Sequence, residues 1–140
     1  MTWLLLVHAG VTCYMAGLIC LIQRVHYPLM DRVPSEGFAS FATEHQQRIL
    51  PVVGPTMLVE GVCAAALVAV YPASWLVWAG LVLVLVNGVS TALVQVPLHT
   101  QLARGFDAVA HRRLVMSNWV RTVAWTARAV LSLVMVAVLG

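Results

Sequence analysis

Of the 140 residues in this chain, 61% are hydrophobic and 9% charged, and the mean hydropathy is +0.92. A soluble domain carries charge on roughly a quarter of its residues, so composition sets the chain apart from soluble folds. Its net charge of +3 rests on eight arginines and no lysine, a sparse set suited to fixing membrane topology and not to binding nucleic acid. At about 20 residues per crossing, residues 1–140 hold a single transmembrane domain of four spans, at about 3–23, 52–71, 75–96 and 112–138.

The first span starts with an apolar run from Trp3 to Ile22. No basic residue precedes it and no A-x-A-like site follows, so a cleaved signal peptide is not expected. Within it His8, Thr12, Met15, Ile19, Gln23 and His26 recur at three- and four-residue steps, a weakly polar seam along one side of a helix. Tyr27-Pro28 should end that helix. Ser35 to Leu50 is amphipathic, with Phe38, Phe41, His45 and Ile49 on one side, and is expected as a short helix lying on the membrane surface. Pro51 and Pro55 bracket the start of the second span, whose one ionisable group is Glu60. After the uncharged turn Tyr71-Pro72-Ala73-Ser74, the third span carries Asn87, Thr91, Gln95 and His99 at four-residue steps. The fourth places His111, Leu114, Asn118, Arg121, Trp125 and Arg128 in one stripe, with the greasy residues elsewhere. A polar seam on a lipid-compatible helix should face other helices or a cavity. The fold class expected is therefore all-α: an integral membrane four-helix antiparallel bundle with an amphipathic surface helix between spans 1 and 2.

Charge placement orients it. Arg24, Arg32 and Arg48 fall in the first connection, and Arg104, Arg112 and Arg113 in the third, while the termini and the Tyr71–Trp75 turn carry no basic side chain. The positive-inside rule then puts both termini outside the membrane that holds the chain, taken as a bacterial inner membrane. Trp3, Tyr71, Trp75 and Trp78 would form an aromatic belt at the outer interface. Cys13, Cys20 and Cys63 lie in apolar runs, as small hydrophobes would. There is also an internal echo. Val25-His26-Tyr27-Pro28-Leu29 followed by Gly37-Phe38 parallels Val94-Gln95-Val96-Pro97-Leu98 followed by Gly105-Phe106.

Counting about 1.5 Å per residue from span ends near Val52, Gln95 and Arg112 puts Glu60, Asn87 and Arg121 at a shared depth of about 12–13 Å. An isolated charge there costs about 2.5–3.5 kcal/mol, which a Glu60–Arg121 pair would offset. Glu60, Asn118 and Arg121 are thus the candidate catalytic set, with Asn87, Gln95, His99 and Trp125 as the surrounding pocket. Arg128 is expected near the outer face, snorkelling to headgroups. His26, Glu60 and His99 are a mixed nitrogen–oxygen set open to a single transition metal. They lack tight ligand spacing, and the absence of any cofactor is equally open. A bis-histidine haem is not expected.

Val96-Pro97-Leu98-His99, Arg113-Leu114 and Asn118-Trp119-Val120-Arg121-Thr122 resemble the anthrone-oxygenase-like family of small bacterial four-helix membrane proteins, most of them without an assigned function. There a VPLN-like exit from the third span precedes a W-x-x-x-N-x-x-R-T-like fourth helix; here His99 takes the place of Asn and Leu114 that of Trp. The resemblance implies oxidation of a flat phenolic polycycle by O₂, with Asn118 and Arg121 at the matching positions. Two functions stay open: a membrane oxidoreductase acting on a lipophilic aromatic or quinone-like compound, and a non-catalytic accessory or assembly subunit of a larger membrane complex. The partners expected are the lipid bilayer, a lipophilic small molecule and a second copy or larger membrane complex.

Overall fold

The computed structural model describes residues 1–140 and contains four helices long and apolar enough to cross a membrane: α1 (Thr2–Arg32), α2 (Ser35–Val70), α3 (Trp75–Leu102) and α4 (Ala108–Leu139). α1 and α3 share one irregularity. A π turn spans Ile22–His26 in the first and Thr91–Gln95 in the third, closed by i→i−5 bonds from the Tyr27 amide to the Ile22 carbonyl and from the Val96 amide to the Thr91 carbonyl. In each a proline, Pro28 or Pro97, stands two residues after the turn's last residue. A proline ring cannot donate and collides with the carbonyl four residues back, so widening the turn before it lets the helix continue. Tyr27-Pro28 therefore does not end α1; its last turn, Met30–Arg32, is 3₁₀.

The expected surface helix is not separate. Ser35–Val70 is one helix of 36 residues with Pro51 and Pro55 inside it. The inward face explains why the chain does not break. Phe38, Ala42, Ile49, Val53, Met57 and Glu60 follow one another in helical register, and the apolar members all join one core cluster. Burial along that continuous face outweighs the bonds the prolines remove, and freed carbonyls in an apolar helix find other partners.

Along α1 and α4 the contacts run in opposite senses: His8 meets Arg128, and Gln23 meets Val115. The same holds for α3 and α4, where Gln95 meets Ser117 and Gly80 lies against Met135. A Cβ added at Gly80 would come within 3.1 Å of the Met135 methyl, so glycine lets these two helices approach closely.

Buried side chains form two apolar clusters. The larger, at the Arg-rich end, includes Met15, Ile19, Phe38, Leu102, Leu114 and Trp125; the smaller, at the opposite end, holds Leu5, Leu67, Leu76, Val77 and Met135. Between them lie buried His8, Thr12, Glu60, Arg128 and Ser132. At the α3–α4 turn, Gly105 takes φ +144°, which a side chain would resist. Asp107 then caps α4, accepting from the Val109 and Ala110 amides at 2.8 and 3.0 Å. Those two amides, Ala110 foremost, hold its carboxyl below the usual aspartate range.

Candidate functional site

All six members of the α4 stripe, His111, Leu114, Asn118, Arg121, Trp125 and Arg128, are buried, and the rest of the helix turns largely outward. The α1 seam is buried from His8 through Gln23, and Asn87 and Gln95 are buried on α3. The polar seams thus face one another, and they sort into two layers.

In the layer between the apolar clusters, Glu60 pairs with Arg128, not Arg121. Arg128 Nη1 donates to Glu60 Oε1 at 2.6 Å, and Trp125 Nε1 donates to Glu60 Oε2 at 2.8 Å. His8 Nε2 lies 3.2 Å from Arg128 Nη2. The expected pairing fails because α2 does not begin at Val52. Counted from the opposite ends, Glu60 is about 15 Å from Val70 and Arg128 about 16 Å from Leu139, whereas Arg121 is about 27 Å from Leu139. Arg128 consequently does not snorkel; it is 1% exposed.

The second layer is built on Arg121, and no carboxylate pairs with it. Arg121 Nη1 donates to Asn118 Oδ1 at 3.0 Å, Asn118 Nδ2 donates to Gln23 Oε1 at 2.8 Å, and Gln23 Nε2 donates to the Val115 carbonyl at 3.1 Å. The guanidinium lies 5.0 Å from the Trp125 ring centroid, in cation–π range. Asn118 is thus a positioning group behind Arg121, with both ends of its amide engaged.

Arg121 forms one wall of a cavity of about 230 Å³ whose other walls include Ile22, Tyr27, His45, Gln46, Gln95 and His99. The π turns supply Ile22 at one end and Thr91 and Gln95 at the other. The Tyr27 hydroxyl lies 2.9 Å from His99 Nε2, Gln46 donates to the His99 carbonyl at 3.1 Å, and Gln95 Nε2 donates to Ser117 Oγ at 2.9 Å. Three of the lining side chains retain a buried polar atom without a partner: Gln95 Oε1, His99 Nδ1 and Arg121 Nε. Such orphans are uncommon in a folded protein and call for an explanation. Behind the His45 wall, His26 Nε2 lies 3.0 Å from His45 Nδ1, and the two rings are stacked.

No family model, curated protein or solved structure matches this chain.

Of the candidates named from sequence, Arg121, Gln95 and His99 line the cavity; Asn118 and Trp125 stand behind Arg121. Glu60 belongs to the other layer. Asn87 is buried with neither amide atom partnered, but it is not on the cavity wall. The contacts of Gly80 and Gln95 across to α4 set it level with Trp125, between the layers. His26, Glu60 and His99 do not converge, and no three His, Cys, Asp or Glu side chains are grouped as a metal would need. Tyr27, His45 and Gln46 were not singled out for the cavity. Tyr27 reads as a helix-ending residue before proline, Gln46 as part of a surface helix, and His45 as part of that helix with an optional place in the metal set. The signal that could have placed them is the apolar face of Ser35–Leu50, which continues in register to Glu60.

Proposed function

We propose that this chain is a multi-pass protein of a bacterial inner membrane, an antiparallel four-helix bundle with both termini outside, that binds a lipophilic phenol or quinone-like compound at Arg121 and acts on it as an oxidoreductase. The observation that carries the reading is a cavity walled by a buried arginine without a carboxylate partner and by two other side chains with unpartnered polar atoms. A fixed guanidinium in a low-dielectric site stabilises a phenolate or enolate as it forms, with little reorganisation. His99, hydrogen-bonded to Tyr27 through Nε2 and unpartnered at Nδ1, would be the group that takes the proton. Glu60 is not, being committed to Arg128 and Trp125. The resemblance of Gln95–Arg128 to anthrone-oxygenase-like proteins points to the same substrate chemistry.

The test is thermal shift in detergent with and without a hydroxyquinone. The parent should be stabilised, and Asn118→Asp should fold but lose the response, because a carboxylate one turn from Arg121 neutralises it. No ligand-dependent shift across a panel of phenols and quinones supports the alternative, an accessory subunit whose polar layers serve assembly alone.

A further inference from the structure

Two of the residues lining the cavity are strongly exposed on the outside of the molecule: Leu50 on α2, 68% exposed, and Val96 on α3, 53% exposed. With Ile49 and Val53 beside Leu50, they make the cavity's mouth an apolar gap between α2 and α3. The mouth has a definite depth. Val96 lies about 31 Å along α3 from Trp75, and a bilayer's hydrocarbon core is about 30 Å thick. The gap therefore opens sideways at the edge of the hydrocarbon on the Arg-rich side, where a polar ring attached to a hydrocarbon chain naturally rests.

Volume restricts what can lie inside. An apolar cavity of about 150 Å³ accepts benzene, and whole drug-sized ligands occupy roughly 300–1,000 Å³. At about 230 Å³, this one is sized for a single substituted ring, and three fused rings would have to extend into the gap. Its polar groups suit such a ring: Arg121 Nε can donate, Gln95 Oε1 can accept, and His99 Nδ1 can do either according to tautomer.

Building on the reading of Arg121 as a phenol or quinone site, we infer that the ligand is a one-ring quinol or phenol carrying a hydrocarbon tail, with its head in the cavity and its tail leaving through the Leu50–Val96 gap into the bilayer. This departs from the polycyclic substrate that the sequence resemblance implies.

The experiment is quenching of tryptophan fluorescence in lipid nanodiscs by three probes: a methyl-benzoquinol, a decyl-benzoquinol and anthrone. Affinities are expressed per mole of lipid so that partitioning cancels. The parent should bind both quinols saturably and anthrone at least about tenfold more weakly. Val96→Trp, on an exposed position, should weaken the decyl probe about tenfold and leave the methyl probe within about twofold; Leu50→Trp on the opposite lip is the second variant, and the melting curve of each checks its fold. Arg121→Gln should abolish binding of both quinols. If anthrone binds as tightly as the decyl probe, or both tryptophan variants weaken the two quinols equally, the tailed one-ring ligand is overturned while the Arg121 site stands. If the parent shows no saturable quenching with any probe, both fall together.

Discussion

Arg121 and Arg128 are two turns apart on one helix face, yet their surroundings give them opposite duties. Arg128 has its carboxylate, a Trp125 neighbour on that carboxylate, and His8. Arg121 has only neutral partners. Removing one member of a buried pair leaves the other charge unpaired, typically at a cost of about 3–5 kcal/mol, whereas removing both costs far less. Glu60→Gln or Arg128→Gln alone should therefore lower the melting temperature sharply, and the double variant should recover much of the loss. The same cycle with Glu60 and Arg121, which touch only through Trp125, should show a coupling well below that of Glu60 with Arg128; an equal coupling would mean the two layers are one. Sequence could show that a buried carboxylate needs a cation, but not which of two cations on the same stripe. That choice depended on where α2 begins, and Pro51 misplaces it.

The prolines show the same at the scale of the helix. Their positions are plain in the sequence, but their effect depends on packing: Pro28 and Pro97 widen a turn, while Pro51 and Pro55 are absorbed without a break. Local rules read each as a boundary; the helices continue because the apolar face beyond each proline is buried in the same core. Replacing Pro97 with alanine removes the cause of the π turn. The helix should relax toward a regular α turn and rotate Gln95 relative to His99. Circular dichroism should stay unchanged while binding of a benzoquinol falls by about an order of magnitude; unchanged binding would mean the π turn does not shape the cavity. At the start of α4, Asp107 has a folded-state pKa below its unfolded value, so its capping contribution is complete above the ordinary aspartate pKa. That contribution is lost as pH falls through the lowered value. In Asp107→Asn the acid-dependent part of the melting curve assigned to this cap should vanish, which a pH series of thermal melts will read.

For the molecule as a whole, four apolar helices and one inward seam on each of α1, α3 and α4 were legible from composition and period, because burial in either lipid or protein obeys the same spacing. The arrangement of the seams around a cavity was not, since it arises from contacts between side chains distant in the chain, such as Tyr27 with His99. Topology is the matching prediction. In a chain whose three native cysteines are replaced by alanine, Thr2→Cys and Ser74→Cys should both label from outside intact cells; labelling of both only after permeabilisation would reverse the orientation.

The two layers also differ electrically. Glu60 and Arg128 sum to zero charge, so a transmembrane voltage does no net work on them. Arg121 is a lone fixed charge about 20 Å along an α4 of about 48 Å. A voltage of 100 mV is worth about 2.3 kcal/mol per charge across the whole membrane, hence about 1 kcal/mol at that fraction of the way. Were the proposed phenol to ionise beside Arg121, it would separate an anion held at this depth from a proton released to the Arg-rich face. In the proposed orientation that face is negative, so the resting potential would draw the proton out and favour the ionised ligand about fivefold over its level in a detergent micelle.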